Sequence, residues 1–129
     1  MRRLALAGLL VLSIVGCSSA TTGAGSPIDR RNTITLEEIE RARTSGWFAW
    51  ELISNVRPHF LRSQSAVGLT DRDPVYAVVY VDEIYRGELE SLKSLVIDGI
   101  KSIQFIPPYD TTARFGQTLQ GGAIVIRTH

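Results

Sequence analysis

The chain has 129 residues, 14 basic and 13 acidic side chains, a formal net charge of +1, and 44% hydrophobic residues. That balance excludes a nucleic-acid binder, which needs a clustered basic excess, and the length suits one domain of ordinary size. A single cysteine excludes an internal disulfide.

Met1-Arg2-Arg3 precedes an apolar run that ends at Ile14-Val15-Gly16-Cys17. Two arginines before about a dozen apolar residues form a secretory signal, because a bilayer-spanning helix needs roughly 20. A buried N-terminal helix is the alternative. The ending resembles the bacterial lipobox, in which small residues lead to a cysteine that is acylated and becomes the new N-terminus. Residues 1–17 are therefore expected to be a lipoprotein signal peptide, with Cys17 as the lipidation site. Ser18 after the cysteine implies, by the same resemblance, a lipid-anchored protein at the periplasmic face of the outer membrane. Removal of the signal takes Arg2 and Arg3 and no acid, so the remaining charge is close to balance.

Residues 18–32 are Ser, Thr, Gly, Ala and Pro with a few charges, which is the composition of a flexible tether. Arg30-Arg31 either touches anionic head groups or stays solvated. An α/β domain is expected over 33–129. Thr35-Leu36-Glu37-Glu38 has capping-box spacing, so a helix should follow, with Leu36, Ile39 and Ala42 on one face and Glu37 paired with Arg41. Thr44-Ser45-Gly46 interrupts it. A second helix is expected over 47–56, ending before Pro58. At 100° per residue, Phe48, Ala49, Trp50, Leu52, Ile53 and Val56 share an apolar arc, and Trp47 falls on the polar side. Its indole either folds back on the core or stands out as an aromatic anchor for a partner.

Residues 63–73 form a polar, turn-rich loop, and Asp71-Arg72-Asp73 offers too few oxygen ligands for a cation. Residues 75–81 are apolar on both faces and rich in β-branched and aromatic residues, as a central strand requires. Asp82-Glu83 should turn the chain into a short second strand, although Glu suits the positive φ of a type I′ turn less well than Gly. Leu89, Leu92 and Leu95 or Val96 repeat at helical spacing until Asp98-Gly99. Residues 100–106 read as a strand stopped by Pro107-Pro108. Asp110 then caps a short helical turn through Phe115, Gly116 supplies its left-handed ending, and Gly121-Gly122 leads into a last apolar strand. The fold class expected is α+β or α/β: a small mixed sheet of about four strands with about three short helices.

Tyr80-Val81-Asp82, Ile100-Lys101-Ser102-Ile103, Arg114-Phe115-Gly116 and Gly121-Gly122-Ala123-Ile124-Val125-Ile126-Arg127-Thr128 together resemble the plug domain of TonB-dependent outer-membrane receptors. The likeness runs from Pro74 to Thr128 and is loose over 35–61. It implies that Arg114 sits in a structural turn; a ligand-gripping role is the alternative. Glu83 departs from the glycine of the family's turn. No barrel sequence follows His129, so transport by this chain alone is not expected. Thr33-Ile34-Thr35 is taken as the lead-in to the first helix rather than a TonB-contacting segment.

Neither His59 nor His129 has a nucleophile or acid at a recognised spacing, and no His or Cys pair suggests a metal. Gly121-Gly122 lacks the helix and lysine of a phosphate loop. No enzyme activity, metal or cofactor is expected. The expected function is a non-enzymatic envelope lipoprotein that binds an envelope protein or itself, through Trp47 or a bare sheet edge. The alternative is a small-ligand binder with a cleft between the loops at 63–73 and 115–122, and a hydrolase ranks third.

Overall fold

The computed structural model describes residues 29–45, 47–64 and 74–129. The expectations for the signal at 1–17 with Cys17, most of the tether, and Asp71-Arg72-Asp73 lie outside the described residues.

The chain runs β1 (Thr33–Thr35), α1 (Leu36–Ala42), α2 (Ala49–Val56), β2 (Val78–Val81), β3 (Ile84–Glu88), β4 (Ser102–Ile106), α3 (Pro108–Phe115) and β5 (Ala123–Arg127). Short 3₁₀ turns lie at Arg43–Ser45, Pro58–Leu61 and Leu89–Lys93. One five-stranded sheet has the order β1-β4-β5-β2-β3. β5 is parallel to β2, and the other neighbours pair antiparallel. The α+β class holds, with five strands rather than about four. The added strand is β1: Thr33-Ile34-Thr35 is not a mere lead-in but pairs with β4.

β5 is the centre. Ala123, Ile124, Val125 and Ile126 are all fully buried, so each side of the strand meets apolar cover. On one side α1, α2 and the 3₁₀ turns bring Ile39, Leu52, Ile53, Phe60 and Leu92 onto Val79, Ile103, Ile124 and Ile126. On the other, α3 and the segment after it bring Phe115 and Leu119 onto Tyr80 and Val125. Phe115 stacks on Tyr80 with ring centroids 4.6 Å apart.

The capping box forms as expected: the Thr35 hydroxyl accepts from the Glu38 N–H, and the Glu38 carboxylate accepts from the Thr35 N–H at 3.0 Å. Glu37 pairs with Arg41 one turn on. Glu38 also receives the Arg57 guanidinium at 2.7 Å, tying α1 to the end of α2.

Three elements differ from expectation. α2 begins at Ala49, so Trp47 and Phe48 precede it. The leucine repeat at Leu89–Lys93 is a 3₁₀ helix rather than an α-helix. β4 stops before Pro107-Pro108 and a helix runs through Phe115 as expected, but Pro108 is its first residue and Asp110 lies inside the first turn rather than capping it. Proline at the first helical position loses nothing, since its missing N–H would be unpaired there in any case.

Gly116 ends α3 with φ +70°, in the left-handed region as expected. Gly121 is fixed by contact: a Cβ there would meet the Tyr76 carbonyl oxygen at 1.9 Å. Gly122 adds a positive φ of 78° and would place a Cβ 2.6 Å from the Ile106 carbonyl oxygen. The pair lets β5 enter the sheet between its neighbours.

Candidate functional site

The β2–β3 hairpin turns at Asp82 and Glu83, both in the left-handed region with φ +47° and +66°. For residues with a Cβ this conformation costs about 1 kcal/mol or more each. The rest of the molecule offsets it. Asp82 accepts from the Thr128 hydroxyl at 2.6 Å and from the Thr128 N–H at 2.9 Å. Those two bonds, the hydroxyl's first, hold the Asp82 carboxyl below its ordinary range. Glu83 receives Arg114 at 2.7 Å and lies 3.5 Å from Arg127. Arg114 lies within α3 rather than in a turn, and its guanidinium is a strut between that helix and the hairpin.

The Thr128 hydroxyl also lies 2.7 Å from His129 Nδ1. Acid, hydroxyl and imidazole are therefore contiguous, but in the wrong order for nucleophilic catalysis, where the imidazole stands between the other two. The arrangement latches the C-terminus to the hairpin. His59 packs edge-on against Phe60. Among the described residues no three His, Cys, Asp or Glu side chains cluster as metal ligands.

The exposed aromatic surface is built by a short pairing that the sequence did not announce. Phe48, just before α2, is extended and forms an antiparallel bridge with Val96. The Ile97 N–H donates to the Trp47 carbonyl at 3.0 Å, and the Ala49 N–H to the Leu95 carbonyl at 2.8 Å. Phe48 and Val96 stand side by side, 39% and 47% exposed, while Ala49 and Ile97 turn into the core. Trp47 is 77% exposed. Its indole does not fold back: the residue precedes α2 and its N–H is held by the Glu51 carboxylate at 3.0 Å. Arg43, Glu40 and Asp98 near this ribbon are joined to one another in ion pairs.

Among the described residues no strand pairs with the outer side of β3. This edge is nonetheless blunted. Tyr80 faces Tyr85 while Val79 faces Gly87, which leaves Arg86 as the extra residue of a bulge. Bulges and charges such as Arg86 and Glu88 are what native sheets use to discourage edge pairing.

A cleft of about 720 Å³ is lined by Trp50, Leu61, Tyr76 and Leu89 together with Glu88 and Glu90. None of the residues 115–122 lines it, so it is not the cleft expected between the two loops. Glu90 pairs with Lys93 at 2.6 Å, whose ammonium lies 4.8 Å from the Trp50 ring centre. A second cleft of about 370 Å³ lies beside α3, among Asn32, Gln104, Tyr109 and Asp110. No helix among the described residues is long and apolar enough to cross a membrane.

Trp47 was the one site residue that the sequence singled out for this surface. Phe48 was assigned to the helix core, and Val96 was an optional core leucine-equivalent. Only the pairing of 47–49 with 95–97 joins them, and no local signal encodes it. No protein family, curated protein or solved structure matches this chain.

Proposed function

We propose that this chain is a lipid-anchored, non-enzymatic protein of the cell envelope, held at the periplasmic face of the outer membrane through Cys17, whose plug-like domain is a protein-interaction module. The observation that carries this reading is the 77% exposure of Trp47 beside the exposed Phe48 and Val96. Interface cores favour aromatic anchors of this kind, and large exposed apolar side chains gathered in one place mark interaction sites. The polar groups nearby are engaged with one another, which suits docking better than chemistry.

The test compares the wild-type chain with Cys17→Ala in native membranes, by metabolic lipid labelling, fractionation and crosslinking. The expected outcome is lipid on the wild type alone, and one defined envelope protein crosslinked to the anchored form. Equal membrane retention without label in both forms would overturn the anchor, and an anchored chain with no partner would overturn the interaction role.

The 720 Å³ cleft supports a second reading, a small-ligand binder, since its volume and mostly apolar lining are those of ligand sites. A ligand there would be apolar in its body with a neutral or cationic head toward Glu88.

A further inference from the structure

We infer that the cleft beside β2 binds a small hydrophobic amine, its apolar body held by the aromatic and aliphatic walls and its ammonium group by Glu88. This rests on the ligand-binding reading of that cleft and adds the charge and chemical class of the ligand.

The walls are set by the backbone. Val75, Tyr76 and Ala77, which lead into β2, line the cleft. The Tyr76 carbonyl lies so close to Gly121 that no Cβ would fit between them. The Gln64 N–H donates to the Val75 carbonyl at 2.8 Å, and the Val78 N–H to the Gly122 carbonyl at 3.2 Å. This wall is therefore fixed before any ligand arrives. Trp50 comes from α2 and Leu61 from the 3₁₀ turn after it, and both are half-buried against the main core. A preformed hollow of about 720 Å³ takes an organic molecule of modest size without the cost of ordering its walls.

The charge of the ligand follows from the charges of the lining. Among the described residues, Glu88 and Glu90 are the only charged side chains that line this cleft. Glu90 is balanced by Lys93 at 2.6 Å. Glu88 has no ion-pair partner among the described residues, and its side chain makes no capping bond to the turn that follows it. One negative charge is thus left over on a largely apolar surface. A carboxylate or phosphate ligand would meet it as a like charge, whereas a monocation would balance it.

The chain also carries a stand-in for the ligand's head. The Lys93 ammonium lies 4.8 Å from the Trp50 ring centre while it pairs with Glu90. An aromatic face and a carboxylate of the cleft thus share one ammonium, the combination that recognises alkylammonium ions. Tyr76, 47% exposed, and Glu88 offer the same two kinds of group in the same cleft. Lys93 competes with a ligand for Trp50 and Glu90, so its removal should strengthen binding.

The experiment titrates the purified full chain carrying Trp47→Phe, which leaves Trp50 as its one tryptophan. The probes are phenylbutylamine, phenylbutanol and phenylbutyrate, which share a phenylalkyl body and differ in charge. Binding is read by Trp50 fluorescence and by calorimetry. The amine is expected to bind about fivefold tighter than the alcohol, the contribution of a partly exposed ion pair, and the acid more weakly than either. Glu88→Gln should abolish the amine's advantage and leave the affinity for the alcohol unchanged, which also shows that the variant is folded. Lys93→Met should tighten the amine about threefold. Equal binding of alcohol and amine would overturn the inference while the ligand-binding reading stands. Neither heat nor a change in emission with any of the three would overturn both. An amine preference that survives Glu88→Gln, or weaker amine binding in Lys93→Met, would overturn the assignment of the ammonium group.

Discussion

Two regions of this molecule break a local rule, and they do so in opposite ways. The Asp82-Glu83 turn puts two Cβ-bearing residues in the left-handed region, and Thr128, Arg114 and Arg127 converge on its carboxylates. The ribbon exposes Trp47, Phe48 and Val96, and nothing among the described residues covers them. The first violation is compensated inside the domain and so belongs to folding. The second has no internal compensation, which is the pattern expected of a surface kept for something outside.

That contrast can be tested from its strongest side. Gly121 shows how strictly the interior limits this sequence. In Gly121→Ala the new methyl would meet the Tyr76 carbonyl oxygen at 1.9 Å and the Ala77 nitrogen at 2.9 Å. Both are backbone atoms, so no side chain can swing aside, and the variant should lose about 3 kcal/mol or more by urea unfolding.

Acid should reach the compensated region next. The Asp82 carboxyl is held low by the Thr128 hydroxyl and N–H. Burial would raise Glu38, but the Thr35 N–H and the Arg57 guanidinium outweigh it and leave Glu38 low as well. A depressed carboxyl binds its proton more weakly in the folded state than in the unfolded one. Its contribution is therefore complete above the ordinary carboxyl range, near pH 4, and is lost as pH falls through the lower folded value. The urea midpoint should fall between about pH 5 and pH 3. Thr128→Val should lower the midpoint at pH 7 and flatten that acid slope. An unchanged slope would mean that the latch does not stabilise the turn.

A smaller effect separates the strut from the strain. Arg114 and Glu83 are partly exposed, with side-chain accessibilities of 29% and 55%, so their pair should contribute about 0.5–1 kcal/mol. Glu83→Gly removes the pair and relieves a positive φ, and the two changes should nearly cancel. In a double-mutant cycle, Arg114→Ala should destabilise the wild type and have little effect in the Glu83→Gly background. If Arg114→Ala costs the same in both, the arginine acts through its contact with Phe115 instead.

Much of the compensated region was legible. Thr35 and Glu38 announce their capping box by spacing, and Gly116 by its place after a helical turn. The hairpin and β5 follow from the apolar runs that flank Asp82-Glu83 and Gly121-Gly122. β1 was not legible, because three residues cannot display a period, and its pairing with β4 is a tertiary fact. Leu89, Leu92 and Leu95 recur every three residues, which fits a 3₁₀ helix as well as an α-helix. The helical wheel ran α2 back to Trp47 because Phe48, Ala49 and Trp50 continue its apolar arc. Hydrogen bonds of Trp47 and Ala49 with Ile97 and Leu95 instead hold Phe48 extended. The candidate surface was half legible for that reason: one residue stood out by its polar-side placement, and its neighbours did not.

The smallest expected change in stability is also the one that decides between the two regions. Trp47→Ala removes the largest exposed side chain of the ribbon while leaving its backbone bonds to Glu51 and Ile97 in place. An exposed side chain away from caps and cores should alter stability by no more than about 0.5 kcal/mol. In the Trp50→Phe background, Trp47 fluorescence should be fully open to acrylamide in the isolated protein. If Trp47→Ala instead costs 2 kcal/mol or more, a value about that of burying a large apolar side chain, the indole packs on the domain. The ribbon would then be compensated like the hairpin, and no partner would be needed to account for it.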